Sequence, residues 1–242
     1  SESLTGGAKI KGMDKVTADV YFENGNFGDP QATSDEASVS GVGVYNKYSG
    51  GQFQKQIVLT EATTVRYRDG ADGDKEANIA VGYVGNLTAA MPNSGTASYE
   101  AFHEQGTSVY TKADGSVAQF GFDQDPTVAL TADFGSGTVK GGISGSQLVS
   151  YDSSGNKTVL SNEITGLAID AKIAGSEYAG TANFVNDAGQ SMGTVTQGAA
   201  IGGFFGAGAK ETVAAVAIEG NAQLGGGASD YVYQTTIGGV KK

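Results

Sequence analysis

The chain has no cysteine among its 242 residues. That excludes a disulfide framework and a thiolate-held zinc or iron–sulfur site, and it leaves no cysteine to carry a lipid anchor. Proline is almost as scarce. Pro30, Pro92 and Pro126 are the only three, each where a strand would begin or a turn would fall. Arginine is confined to Arg66 and Arg68, and histidine to His103. Cationic charge is outweighed throughout, leaving a formal net charge of −11. Such a surface repels nucleic-acid phosphates and anionic lipid, which argues against nucleic-acid binding. No apolar run approaches the ~20 residues of a membrane-spanning helix. No signal peptide is visible, as in a mature chain whose leader has been removed.

What is abundant is glycine, 39 of 242 residues, about twice the usual ~7% share. It follows no triplet period, so collagen is excluded. Mixed with Val, Tyr, Phe and Thr, it predicts many short strands joined by tight turns. In the N-terminal part, strands are expected over Val16–Phe22, Ser38–Tyr48, Phe53–Leu59, Thr63–Tyr67 and Ala77–Val84. Loop chemistry is expected over Asn24–Glu36 and Asp69–Lys75.

The C-terminal part alternates more cleanly. Val128, Leu130, Ala132 and Phe134 form one apolar set. Leu167, Ile169, Ala171 and Ile173 form a second, Tyr178, Gly180, Ala182 and Phe184 a third, and Ala214, Val216 and Ile218 a fourth. Period two predicts strands with one buried and one wet face, the pattern of antiparallel sheet. Short turns separate the runs, so the expected architecture is all-β and closes as an up-and-down barrel without exposed edges. Helix propensity over Glu211–Ile218 competes with this reading, and its alternation favours strand. A boundary near Ala90 divides the chain into a β-rich ligand-binding unit, 1–90, and a barrel, 91–242.

Three runs, in order, carry a resemblance. Met91-Pro92-Asn93-Ser94-Gly95-Thr96-Ala97-Ser98-Tyr99 resembles the segment that opens the β-barrels of transferrin-binding protein B and its relatives. Asp133-Phe134-Gly135 with Val139-Lys140-Gly141 is similar to the next recurring element. Gly203-Phe204-Phe205-Gly206 with Ala209 and Glu211 resembles the closing signature. Ala207 departs from a common proline, and Ala214-Ala215 from an expected glycine pair. The resemblance covers roughly residues 90–220 and implies an eight-stranded barrel. One N-terminal unit followed by one barrel, with no lipid-bearing cysteine, is similar to haemophilin-type secreted haem carriers (haemophores). That implies an extracellular protein that holds haem, is exported through a surface lipoprotein assembly modulator (Slam), and delivers its cargo to an outer-membrane haem receptor of a Gram-negative bacterium. The alternative within the family is a surface or secreted module that grips a host protein, as transferrin binders and factor H binders do. A purely structural or adhesin-like β protein would need no ligand.

The candidate site residues follow from this. Neutral imidazole is the usual nitrogen donor to haem iron, so His103 is the expected axial and metal ligand. The other reading of His103 is an ordinary histidine at a strand end. Phe102 is expected to line the haem pocket, and Arg66 and Arg68 to meet the propionates, unless the arginines lie on a solvated strand face. Tyr45, Tyr48, Phe53, Tyr67 and Tyr83 line a flat apolar ligand or serve as core. Tyr21, Phe22 and Phe27 flank the Asn24–Glu36 loop as a clamp tip or as a small hairpin core. Catalysis is not expected: one histidine and no cysteine leave few nucleophile–base pairs. Ser146 breaks the Gly-x-Ser-x-Gly pattern begun at Gly142. The Asp-rich turn at Asp69–Asp74 lacks the bidentate glutamate of a calcium loop. Asn86-Leu-Thr fits a glycosylation acceptor, a pattern common by chance.

Overall fold

A computed structural model describes residues 7–8, 22–23, 26–27, 37–39, 43–69, 78–106 and 108–242, with side chains at 43–64, 81–83, 85–106 and 108–242. Every regular element among them is a β-strand. The expected strand over Val16–Phe22 and the loops over Asn24–Glu36 and Asp69–Lys75 lie wholly or largely outside the described residues.

Four short strands come first: β1 (Gly7–Ala8), β2 (Phe22–Glu23), β3 (Asn26–Phe27) and β4 (Ala37–Val39). Strands β2 and β3 pair with each other, Phe22 opposite Phe27. A hairpin follows, β5 (Gly43–Ser49) and β6 (Gln52–Leu59). Gly50 and Gly51 turn it with φ of 55° and 74°, the left-handed pair that a two-residue turn of type I′ demands. Strands β7 (Ala62–Asp69) and β8 (Asn78–Gly85) then form a sheet in the order β1-β8-β7-β4.

The chain passes into the barrel through β9 (Thr96–Gln105). Next come β10 (Val109–Thr111), β11 (Val117–Gln119) and β12 (Gly121–Phe122), and then β13 (Thr127–Asp133) and β14 (Thr138–Ser144). Strands β15 (Leu148–Tyr151) and β16 (Lys157–Ser161) join β12 in a three-stranded sheet of their own. The wall resumes with β17 (Gly166–Ala174), β18 (Glu177–Val185), β19 (Thr194–Phe205), β20 (Glu211–Leu224) and β21 (Gly227–Lys241). Eight strands in the order β9-β13-β14-β17-β18-β19-β20-β21 form an antiparallel barrel, closed by pairing of β21 with β9. Beyond β9, the short β10 takes its place along β21.

Alternation fills the barrel as expected. Leu130, Ala132, Ile143, Leu167, Ile169, Ala182, Phe184, Phe204, Val216 and Tyr233 are buried together inside it. Glycine matters most where strands pass closely. A Cβ on Gly142, whose φ is 137°, would stand 1.8 Å from the Leu167 carbonyl oxygen, so no other residue fits there without displacing β17.

A second core lies outside the barrel wall. Tyr45, Ile57, Leu59, Val81 and Tyr83 pack on Phe102, Phe205, Val213 and Ala215. This corrects the expectation of one wet face for the run around Ala214, Val216 and Ile218. From Val213 to Ile218 every side chain is buried. Even positions face the barrel interior, while Val213 and Ala215 meet the N-terminal strands. The connection is also stitched down: Thr88 N–H donates to the Phe204 carbonyl at 2.9 Å, and its hydroxyl to the Gly206 carbonyl at 2.7 Å.

Candidate functional site

The β5–β6 hairpin lies beside the barrel at the seam where β9 and β13 part. Their ladder ends with Ala129 opposite Glu100. Past that point Asp125, Pro126 and Val128 diverge from Ala101–His103, and residues Asn46–Tyr48 of β5 border the gap. The result is a cleft of about 120 Å³.

Register fixes how β9 presents its side chains. His103 stands opposite Ile237, and Phe102 opposite Gly238. Ile237 belongs to the barrel core, so His103, its direct partner, faces the barrel interior on the same side as Ala97, Tyr99 and Ala101. Phe102 faces out. Its ring stacks on Tyr45 at a centroid distance of 3.5 Å and 8° between planes, and a Cβ on Gly238 would meet Phe102 Cζ at 2.8 Å. The hydroxyl of Thr64 donates to Glu104 Oε2 at 2.8 Å, so Tyr45 must donate to Thr64 Oγ1 at 2.8 Å. In return Tyr45 accepts the Thr64 N–H at 3.1 Å.

The His103 imidazole is the chemically distinct group of the cleft. Its Nδ1 is buried and has no hydrogen-bond partner. Burial alone pushes its pKa down from 6.5 to about 4, so near neutral pH the ring is uncharged with a lone pair available. The hairpin is held to the seam by charge. Glu100 accepts from Lys47 Nζ at 2.5 Å and Lys55 Nζ at 3.1 Å, and these bonds hold its carboxyl below the usual range. Asp125 Oδ2 accepts the Gly51 N–H at 2.5 Å, from a backbone with φ of 61°, a left-handed conformation that Asp tolerates better than most residues.

The structure therefore brings His103, Phe102 and Tyr48 to one cleft. Tyr45 lies one layer back and Tyr83 is buried in the junction core. Phe53 stands near the hairpin tip, 55% exposed, with its ring 6.0 Å from Tyr48. Arg66, Tyr67 and Arg68 lie on β7 opposite Val81, Ala80 and Ile79, and their side chains are outside the described residues. Sequence reasoning missed Lys47, Lys55, Glu100 and Asp125. The one available signal was the Asp-Pro pair at 125–126, which marks a turn. No group of three or more His, Asp or Glu that could hold a metal ion occurs among the described residues.

No curated protein matches the chain. Several solved structures are similar in fold. The intact Ap-TbpB, with N and C lobes, is 19% identical over 99% of this chain and 46% of that one, with a TM-score of 0.45. A double mutant of the vaccine antigen transferrin binding protein B from Haemophilus parasuis Hp5 is 16% identical over 98% and 44%, with a TM-score of 0.48. The isotype 1 transferrin binding protein B from serogroup B Neisseria meningitidis is 14% identical over 100% and 44%, with a TM-score of 0.45. The chain thus spans less than half the length of these structures. The family defined by the C-lobe and N-lobe beta barrels of Tf-binding protein B matches residues 91–229, and this segment contains all but the end of the closed barrel. With more than half of its length so matched, the chain belongs to that family of transferrin-binding protein B barrels.

Proposed function

We propose that this chain is a haem-capture protein at or released from the bacterial surface, with the imidazole of His103 as the iron ligand. One observation carries the reading: an uncharged imidazole whose buried Nδ1 lacks a partner borders a cleft at the junction of hairpin and barrel. A buried nitrogen left unbonded is costly unless something else satisfies it. The residues around it fit haem in chemistry, since Pro126 and Val128 offer apolar contact. Bound there, haem would supply an iron that accepts the imidazole lone pair.

The space is small. A cleft of about 120 Å³ is below the roughly 300–1,000 Å³ of ordinary ligand pockets. Capture therefore entails displacement of the β5–β6 hairpin, with loosening of the Lys47–Glu100–Lys55 and Gly51–Asp125 tethers. Capture and release involve no covalent chemistry. Export through a surface lipoprotein assembly modulator and delivery to an outer-membrane haem receptor complete the proposal, supported by the resemblance to haemophilin-type carriers.

A second reading, a module that grips a host or partner protein, is favoured by the hairpin's outer face. Val44 and Val58 are register partners, as are Tyr48 and Phe53, and all four are more than 40% exposed. Exposed apolar pairs of this kind, here separated by the polar Asn46–Gln56 pair, suit a contact surface, and the family takes its name from the barrels of Tf-binding protein B.

Titrating haemin into the purified apoprotein separates the two. Under the first reading a Soret band develops to one-to-one stoichiometry and is lost in His103→Ala, while Val44→Ser/Val58→Ser, outside the cleft, retains it. Absence of any spectral change in the parent protein overturns haem capture. The partner-protein reading then predicts binding to immobilised transferrin that the Val44→Ser/Val58→Ser variant abolishes.

A further inference from the structure

Far from the hairpin, the outer face of the barrel carries a groove of about 310 Å³ across β11, β10, β21, β20 and β19. Two rows of side chains build it. Glu219, Val232, Val109 and Gln119 are successive register partners, and the next row runs Asn221 and Asp230, then Thr111 and Val117. Glu219 and Asp230 are diagonal neighbours across one ladder, roughly 7–8 Å apart between backbones. The β19 strand bulges between Val195 and Gln197 opposite Glu219, and bulges re-aim side chains beside functional sites. The extra residue, Thr196, uses its hydroxyl on the Glu219 carbonyl at 3.0 Å, not on the Glu219 carboxylate.

That carboxylate is left with a need. Glu219 Oε2 is buried from solvent and has no hydrogen-bond donor. Asp230 Oδ1 accepts from Asn221 Nδ2 at 2.8 Å, so the neighbouring acid is partly satisfied and Glu219 is not. No lysine or arginine pairs with Glu219 or Asp230 among the described residues. A buried acceptor without a donor is destabilising, and a cation with N–H donors is the complement that relieves it. The apolar walls, Val109, Val117 and Val232, suit an aliphatic stem rather than a bare metal ion.

We infer that this groove binds a basic group on an aliphatic stem, an ammonium or guanidinium whose donors meet Glu219 while its methylenes lie on the valines. Its source is either a free polyamine-like amine or a lysine or arginine side chain of a partner protein. The site uses none of the residues invoked for haem, so the two proposals stand or fall apart.

The test is titration of the ¹⁵N-labelled full chain with agmatine and, separately, with N-acetyl-arginine methylamide. Saturable amide shifts are expected at Val109, Thr111, Glu219, Asp230 and Val232. Affinity should fall at least five-fold in Glu219→Gln and by a smaller factor in Asp230→Asn. Tighter agmatine binding identifies a free amine as the ligand, and tighter binding of the blocked arginine identifies a protein side chain. Non-saturating shifts with both probes, or equal affinity in folded Glu219→Gln, overturn the inference.

Discussion

At the scale of the residue, His103 makes stability depend on pH in a calculable way. Its pKa in the folded chain is lowered from 6.5 to about 4 by burial. Between these values the unfolded chain holds a proton that the folded chain excludes. The contribution of the neutral ring is therefore complete above about pH 6.5 and is lost as pH falls toward 4. At about 1.4 kcal/mol per pKa unit the loss is on the order of 3 kcal/mol. Urea midpoints should thus fall between pH 7.5 and pH 4.5 in the parent protein and stay nearly flat over that window in His103→Leu. Glu100 and Asp123 have lowered pKa values because lysines bond them. Their contribution is present above the ordinary carboxylate range and is lost below it, so it does not account for a change nearer neutrality. The sequence marked His103 as singular but not which way it faces. That depends on pairing with Ile237, a partner distant in sequence and invisible to local pattern.

Among elements, the turn from β6 to β7 is gripped by Glu211 at the start of β20, with Lys210 Nζ adding a bond to the Thr60 hydroxyl at 3.2 Å. Glu211 is fully buried. Its Oε1 accepts the Thr60 N–H at 2.8 Å and the Thr60 hydroxyl at 3.0 Å, and its Oε2 accepts the N–H of Glu61 at 2.9 Å and of Ala62 at 3.1 Å. Charge-assisted bonds of this kind are the strong ones. Glu211→Ala leaves these donors unmet and should destabilise by about 3–5 kcal/mol, read from urea unfolding. Glu211→Gln turns an amide NH₂ toward backbone N–H groups, so amide exchange at Thr60–Ala62 should quicken even where the fold survives. The strands were legible where alternation was clean, as over Val128–Phe134, Leu167–Ile173 and Tyr178–Phe184, and each of these runs falls on a barrel strand. The double burial of β20 was not legible, because small alanines on both faces look alike in sequence. Nor was the β12-β15-β16 sheet anticipated, since its strands are short and pair across loops. Glu211 was noticed as part of a signature, yet its role needed the turn it grips, 150 residues away.

Across the whole molecule, protection from exchange should follow burial and pairing rather than chain position. Strands β20 and β21 are long, paired on both edges and buried over most of their length. Their central amides, Val213–Ile218 and Tyr233–Ile237, are expected to exchange most slowly. Amides near the exposed tip of the β5–β6 hairpin, Tyr48 to Phe53, should exchange first. Native-state hydrogen exchange followed by mass spectrometry checks the order, and a tip as protected as β20 would contradict the hairpin displacement that haem capture entails. Fold class was readable from glycine-punctuated alternation, and the candidate site only in outline, since it arises where a hairpin meets a seam.

The pairing that closes the barrel has a temporal meaning. The barrel is sealed by its first wall strand meeting its last, with Thr235 donating to the Glu104 carbonyl across 131 positions of chain. Until β21 is present, β9 and β20 each offer an unsatisfied edge, and contacts so remote form slowly. A polypeptide threaded end-first through a membrane conduit would thus stay open until its final segment emerged, and only then lock.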